Sequence, residues 1–272
     1  MNKPMTTAMF CMALLLGGLS SCTTNDVEDI QGGGEQDLYE IKDRALGEYL
    51  VYNCSRTDEN KLPYEMAVAE NGKFYLNTQK AATVENLYLV KNDAQIAKLE
   101  NAGLATAAVK IVDMDGLQFF TALKTLKITS NSVERMDLTA LTELETVEMN
   151  NNSVTALDLS QNTKLIRFRY GGNSAGDTST KLSTISFANN NVIEHIYLKN
   201  QNLQENGFIL PSNYAALKEL DLSNNPAAPF AIPEDLMTQL TTAVGVVADS
   251  EGGGGEAVSY THLRAHETKA NL

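Results

Sequence analysis

Residues 123–133 read Leu-Lys-Thr-Leu-Lys-Ile-Thr-Ser-Asn-Ser-Val, and their spacing of apolar residues and asparagine returns along the chain. The next copy, residues 144–154, reads Leu-Glu-Thr-Val-Glu-Met-Asn-Asn-Asn-Ser-Val, and looser copies begin at Leu165, Ile193 and Leu217. A repeat of this length is typical of chains in which each unit stacks on its neighbours and all units share one continuous core.

Successive copies begin 21, 21, 28 and 24 residues apart. Each copy contains a second apolar segment, which begins 11 residues before the next copy, as at Val154 before Leu165 and at Leu182 before Ile193. The longest interval therefore indicates an insertion, around residues 176–181, that we expect to be a polar loop at the edge of the stack.

The pattern L-x-x-L-x-L-x-x-N-x-L resembles that of leucine-rich repeat proteins, and the two-halved unit resembles a bacterial class with a 21-residue repeat. The resemblance covers residues 110–243 and implies an α/β, β-rich solenoid, curved, with a parallel sheet on its concave face. We expect residues 37–109 to form a helical N-terminal cap, because residues 37–52 have helical apolar spacing. A partial repeat within residues 84–92 is interpreted as a degenerate first copy.

The asparagine of each copy is expected to be structural. Its side-chain amide can satisfy backbone groups of the tight turn that follows each strand. The ladder predicted in this way contains Asn131, Asn152, Asn173 and Asn225. Gln201 stands at the same position of the fourth copy and is predicted to interrupt the ladder.

The N-terminus has the features of an export signal. Lys3 is followed by an apolar run over residues 8–16 and then by Leu-Ser-Ser before Cys22. This ending resembles the bacterial lipoprotein signal, which implies a signal peptide over residues 1–21 and a lipid anchor on Cys22. It also implies an outer-membrane lipoprotein of the cell envelope, which we expect to be surface-exposed. The alternative is an ordinary secretory peptide with a chance cysteine. Residues 22–36 are polar and glycine-rich, which favours a flexible tether.

The C-terminus differs in character from the rest of the chain. Residues 258–268 read Val-Ser-Tyr-Thr-His-Leu-Arg-Ala-His-Glu-Thr, which resembles one translated frame of a sequencing-library adaptor. We therefore expect residues 258–272 to be a non-native tail and residues 244–257 to be a linker, with a native chain that continues past Glu256. His195 then remains as the one native histidine.

Charge and cysteine content narrow the range of partners. The chain has 34 acidic and 21 basic residues and a net charge of −13, which disfavours contacts with the phosphates of nucleic acids. With Cys11 in the signal peptide and Cys22 lipidated, Cys54 has no partner for an internal disulfide. We expect a monomer that contacts the membrane only through the lipid.

The third, fifth and seventh positions of each copy are predicted to point outward from the sheet. Neighbouring copies thereby combine basic and aromatic side chains into one predicted ligand-binding group, with two further charged residues beside it: Arg167, Arg169, His195, Tyr197, Lys199, Lys127 and Glu148. A positive group on so acidic a chain favours ligand binding, and arginine and tyrosine are frequent hot-spot residues. The alternative is a solvated strand face without a ligand.

Catalytic patterns do not occur in the sequence. It has no metal-spaced Cys/His cluster, no Gly-x-Ser-x-Gly and no glycine-rich phosphate loop. We therefore expect no enzyme activity, catalytic residue, metal site or cofactor. The predicted function is recognition or adhesion at the cell envelope, with a protein or glycan bound on the concave face. The alternative is a targeting or scaffold domain of a larger surface protein whose functional domain lies beyond Glu256.

Overall fold

The structure, a computed structural model, describes residues 37–171 and 181–249. Several predicted features lie outside the described residues. They are the signal peptide, Cys22, the tether, Asn173, the 258–272 tail and most of the 176–181 insertion.

The described residues form fourteen strands and four α-helices, and three of the helices precede the clear repeats. The strands are β1 (Leu38–Ile41), β2 (Ala67–Glu70), β3 (Lys73–Asn77), β4 (Asn86–Tyr88), β5 (Thr125–Lys127), β6 (Thr146–Glu148), β7 (Arg167–Arg169), β8 (Ile185–Ser186), β9 (His195–Tyr197), β10 (Phe208–Ile209), β11 (Glu219–Asp221), β12 (Phe230–Pro233), β13 (Thr242–Val244) and β14 (Val246–Asp249). The α-helices are α1 (Arg44–Cys54), α2 (Thr78–Ala81), α3 (Asp93–Asn101) and α4 (Glu234–Gln239).

The repeats build one parallel sheet of seven strands in the order β4-β5-β6-β7-β9-β11-β13. Each strand pairs in register with the next, so that equivalent residues of successive copies lie side by side. The central residue of each strand faces the core and is buried: Leu87, Leu126, Val147, Phe168, Ile196, Leu220 and Ala243. Burial of each large apolar side chain contributes roughly 1.5–3 kcal/mol to stability. The predicted α/β solenoid is confirmed, and β4 is the predicted degenerate first copy.

The sheet is longer than the predicted repeat region. Strand β4 precedes residue 110, and β13 ends at Val244. Strand β14 continues the regular structure to Asp249, within the stretch predicted as a linker, and pairs in parallel with β12. Outside the seven-stranded sheet, β8 also pairs with β10, and Asp113 forms an isolated bridge with Arg135.

The N-terminal cap contains an antiparallel sheet as well as helices. The sheet has the order β1-β3-β2, and α1 packs against β2 and β3. The prediction of a helix that begins near Asp37 is wrong for the first turn, because residues 38–41 form a strand that pairs with β3. Helix α1 begins only after Asp43, whose carboxylate accepts a hydrogen bond from Leu46 N. Gly47 permits close packing of α1, since a Cβ there would lie 2.3 Å from Phe74 Cγ.

Polar contacts join the cap to the first repeats. The second oxygen of the Asp43 carboxylate accepts hydrogen bonds from Val112 N at 2.8 Å and Asp113 N at 3.0 Å. Lys91, which follows β4, is buried and donates to backbone carbonyls of the segment after α3. Burial lowers the pKa of Lys91 to about 8. The cap is therefore part of the same folded unit as the sheet.

The predicted asparagine ladder is present and links consecutive copies. Asn152 Oδ1 accepts from Val133 N of the preceding copy at 3.1 Å. Its amide nitrogen donates to Ile128 O at 2.5 Å and to Met149 O at 2.9 Å. Asn131 and Asn225 make the equivalent pair of contacts, Asn131 with Ile111 N and Leu89 O and Asn225 with Leu203 N and Leu198 O. Each amide thus satisfies backbone groups that the core would otherwise leave unpaired.

Gln201 belongs to this ladder, and the prediction that it interrupts the ladder is wrong. The Gln201 side chain is buried, accepts from Leu182 N at 3.2 Å and donates to Tyr170 O at 2.9 Å. These are the same two kinds of contact that the asparagines make. The extra methylene of glutamine provides the reach that this copy requires.

A second ladder was not predicted. Asn162 donates to Leu138 O at 2.9 Å and to Leu141 O at 2.8 Å, and Asn190 donates to Leu159 O at 3.2 Å and to Asn162 O at 2.8 Å. Both asparagines are fully buried. The equivalent positions of other copies hold Leu141 and Tyr214, so the sequence shows no repeating asparagine there.

We predict that Gln201→Asn destabilises the protein although it restores the residue typical of the repeat. The shorter amide can reach either Leu182 N or Tyr170 O but not both, which leaves a buried group unpaired at a cost of about 1–2 kcal/mol. Urea unfolding monitored by circular dichroism measures this cost. Gln161→Asn is the matched control at an exposed position and should change stability by less than about 0.5 kcal/mol. If Gln201→Asn is as stable as the wild-type protein or more stable, the role assigned to Gln201 in the ladder is wrong.

Candidate functional site

The outer side of the seven-stranded sheet carries most of the predicted site residues. Strand β7 presents Arg167 and Arg169, each half-exposed on either side of a buried phenylalanine, and β9 presents His195 and Tyr197 in the same way. Strand pairing sets Arg167 beside His195 and Arg169 beside Tyr197. Adjacent parallel strands are about 4.8 Å apart, so these four side chains form one group.

The other three predicted residues lie around this group. Lys199 follows β9 and is exposed. Lys127 and Glu148 are in register on β5 and β6 and form an ion pair with a nitrogen–oxygen distance of 3.3 Å. Lys127 Nζ also lies 6.0 Å from the centre of the Tyr88 ring. Lys127 and Glu148 therefore have partners within the sheet, whereas Lys199 extends the positive group at one end of β9.

Glu219 on β11 is the main partner of His195 and Tyr197. One oxygen of its carboxylate lies 3.0 Å from His195 Nδ1 and also accepts a hydrogen bond from the Tyr197 hydroxyl. The two rings are parallel, with an interplanar angle of 3° and centres 6.5 Å apart. The register of the repeats predicts Glu219 on this face, but spacing alone does not indicate that one carboxylate holds both rings.

A second carboxylate lies near the other nitrogen of His195. Glu194 Oε2 is 3.6 Å from His195 Nε2 and 2.7 Å from Lys218 Nζ. The hydrogen bond from Lys218 holds the pKa of the Glu194 carboxyl below its usual value. Glu194 is therefore charged at neutral pH, and His195 lies between two carboxylates.

The two arginines differ in how they are held. The Arg169 guanidinium stacks on the Tyr197 ring, with its central carbon 4.5 Å from the ring centre, and its buried Nε has no hydrogen-bond partner among the described residues. Arg167 makes no hydrogen bond or ion pair within residues 37–171 and 181–249. Stacking fixes the position of Arg169, while the donors of Arg167 remain available to a ligand.

Charges of both signs follow one another across the sheet. The fifth positions of consecutive copies hold Lys127, Glu148, Arg169, Tyr197 and Asp221. The positive group is thus bordered by a carboxylate on either side rather than surrounded by neutral surface. Such a face is complementary to a ligand that itself carries charges of both signs.

The described part of the chain holds no group of three or more histidine, cysteine, aspartate or glutamate side chains placed to bind a metal ion. Among the helices of residues 37–171 and 181–249, none has the length and apolar character needed to cross a bilayer.

The chain resembles two solved structures from Listeria monocytogenes at low identity. The functional domain of InlJ, described as including a cysteine ladder, is 16% identical, with a TM-score of 0.44 over 76% of this chain and 46% of that one. An internalin, inlF of strain 4b F2365, is 14% identical, with a TM-score of 0.43 over 76% of this chain and 58% of that one. This chain therefore spans about half the length of these proteins. No protein-family model and no curated protein matches it.

Proposed function

We propose that this chain is a non-enzymatic recognition module that binds a protein ligand through the outer side of the seven-stranded sheet. The observation that carries the proposal is the group around β7 and β9. In this group Arg169 stacks on Tyr197, Tyr197 donates a hydrogen bond to Glu219, and Arg167 has no partner among the described residues. The group is basic, although the chain has a net charge of −13. Arginine and tyrosine in such pre-positioned groups commonly dominate the free energy of protein binding.

The face is large and rigid enough for a protein partner. Seven strands at the usual spacing extend over about 29 Å. Each outward side chain lies next to a fully buried core residue, so its backbone cannot shift without disturbing the core. A ligand would therefore meet a surface that needs little ordering on binding, which lowers the entropic cost of association.

The order of the charges favours a protein over an acidic glycan. One carboxylate of the ligand can bind Arg167 and a second can bind Lys199, which lies four residues past the partner of Arg167 on β9. A cationic or hydrogen-bonding group can bind the acidic strand β11 through Glu219 and Asp221. A protein surface supplies positive and negative groups on neighbouring side chains. An acidic glycan supplies only one sign and would be repelled by the carboxylates on either side.

We further propose that the module works at the cell envelope, held by a lipid on Cys22. The support is the apolar segment over residues 8–16 followed by Leu-Ser-Ser-Cys. The polar, glycine-rich residues 23–36 would separate the folded unit from the bilayer.

We predict that replacing both arginines of the group abolishes ligand binding. The purified protein is applied to an array of purified extracellular protein domains and, in parallel, to a glycan array. Saturable binding to one or more protein domains is expected. Arg167→Ala/Arg169→Ala should weaken that binding at least about 100-fold, since charge pairs and stacked arginines at an interface each contribute about 1.5–3 kcal/mol.

Arg135→Ala is the matched control for the loss of positive charge. Arg135 is exposed and lies outside the seven-stranded sheet, where it approaches Asp113 at 3.6 Å. Its replacement should leave binding within about twofold. Binding detected only on the glycan array would contradict the proposal of a protein ligand and indicate a glycan ligand. Protein hits that the double variant retains in full would exclude the group around β7 and β9 as the binding surface.

The anchor is tested by changing Cys22. In a Gram-negative host, the wild-type chain should incorporate labelled palmitate and fractionate with membranes, and Cys22→Ser should do neither. Cys54→Ser is the control, because Cys54 is buried in α1 and should not affect labelling. Unlabelled wild-type protein, or labelled Cys22→Ser, would contradict the proposed anchor.

A further inference from the structure

An open groove lies outside the seven-stranded sheet, along the second apolar segments of the copies. It consists of two adjoining clefts of about 590 Å³ and 790 Å³, which share Met136, Asp137 and Ala156 in their walls. The smaller cleft is lined by residues 156–158 and residues 184–186, which belong to consecutive copies. A residue in a sheet fills roughly 160 Å³, so this cleft can hold about three or four residues of an extended chain.

Strand β8 has one free edge in the wall of this groove. The backbone N–H groups of Ile185 and Phe187 donate to β10 at 2.7 Å and 2.9 Å, so β10 occupies the other edge. Alternate residues of a strand direct their N–H and C=O groups to opposite edges. Those of Thr184 and Ser186 therefore point away from β10, and they have no partner among the described residues. A free strand edge of this kind is a template for pairing with another chain.

Residues 155–158 add further unpaired backbone groups to the groove. Their N–H and C=O groups form no hydrogen bond with a described residue, and the four residues are exposed or half-exposed. The equivalent stretch of the preceding copy is bonded to its neighbour, since Glu134 N donates to Val112 O at 3.1 Å. An extended chain in the groove would thus meet free backbone donors and acceptors from two consecutive copies.

The floor of the groove is apolar. Ile209 on β10 is 52% exposed, although it is a large aliphatic residue. Met136 and Leu157 are half-buried and pack against the core from below. Successive side chains of a strand point to opposite faces, so every second side chain of an added strand would meet this apolar floor.

The rim of the groove is acidic. Asp137 and Asp158 form no ion pair with a described residue. Hydrogen bonds from Thr139 and Ser160 hold the pKa of these two carboxyls below the usual value, so both are charged at neutral pH. Among the described residues that line the two clefts, five carboxylates stand against the single cation Arg135: Asp113, Asp115, Glu134, Asp137 and Asp158. A cationic ligand is therefore complementary to this rim.

From this geometry we infer that the groove binds an extended peptide of a partner protein, in which lysine or arginine alternates with apolar residues. The peptide adds a strand to the free edge of β8. Its apolar side chains face the floor, and its cations lie near Asp137 and Asp158. A second copy of this chain, with its net charge of −13, does not supply these cations. Residues 172–180 of the same chain contain no lysine or arginine and do not supply them either. The groove is separate from the group around β7 and β9 and does not depend on the function proposed above.

Fluorescence polarisation with labelled peptides tests this inference on the purified full chain. The probes are five repeats of Lys-Val and five repeats of Glu-Val, which share their length and valines and differ in the sign of their charge. The Lys-Val peptide should bind saturably, at least about tenfold more tightly than the Glu-Val peptide, and more weakly as salt is added. No binding of the Lys-Val peptide, or equal binding of both peptides, would overturn the inference.

Neutralising the rim tests the role of its charges. Asp137→Asn/Asp158→Asn should weaken binding of the Lys-Val peptide at least about fivefold. Asparagine keeps the oxygen that accepts from the backbone of Thr139 and Ser160, so the fold is retained. Glu70→Gln/Glu100→Gln is the matched control, because it removes two exposed carboxylates from the cap. It should leave binding within about twofold. An equal loss in both double variants would assign binding to the net charge and overturn the groove as the site.

Amide hydrogen exchange of the wild-type protein, followed by NMR, locates the bound peptide without any substitution. Saturating Lys-Val peptide should slow exchange at Ser186 and within residues 155–158 at least about tenfold, because their free N–H groups become hydrogen-bonded. Exchange in β13, at the end of the large sheet, should be unchanged. Protection that is confined to β11 would place the peptide on the acidic strand of the large sheet and overturn the inference.

Discussion

The side-chain amides between consecutive copies are the interaction on which the rest of the structure depends. The outward strands β5, β6, β7, β9 and β11 are only three residues long, so each pair of strands forms few backbone hydrogen bonds. The chain then turns inward and would leave backbone N–H and C=O groups unpaired in the core. Asn131, Asn152, Gln201 and Asn225 satisfy these groups across copies. A fully paired buried network of this kind fixes a single register.

That register determines the functional surface. Because equivalent residues are aligned from copy to copy, the third and fifth positions form two rows across the outer side of the sheet. Across the copies the core positions hold apolar residues and the ladder positions hold asparagine or glutamine, whereas the row positions differ in charge and shape. Residues that stabilise the fold and residues that are available for recognition therefore occupy different positions of each copy.

The repeat pattern made the sheet, the outward rows and most of the first ladder predictable, because these features depend on spacing alone. Features that depend on the length of a side chain, or that occur in one copy only, were not predictable. Gln201 was misjudged because its reach, and not its residue type, places it in the ladder. Strand β1 was misjudged because the spacing of Leu38 and Ile41 is helical, whereas these residues lie on opposite faces of a strand, with Ile41 buried and Leu38 exposed. The role of Glu219 depends on side-chain positions, which the spacing does not specify.

Hydrogen–deuterium exchange of Asn152→Ala against wild-type protein tests the central role of the ladder most directly. The variant removes the acceptor of Val133 N and the donor to Ile128 O and Met149 O. If the ladder holds the copies together, exchange in residues 126–133 and 147–154 should rise at least about tenfold. Helix α1, in the cap, should be unchanged. Unchanged exchange in both repeat segments would contradict this account and assign the register to apolar packing alone.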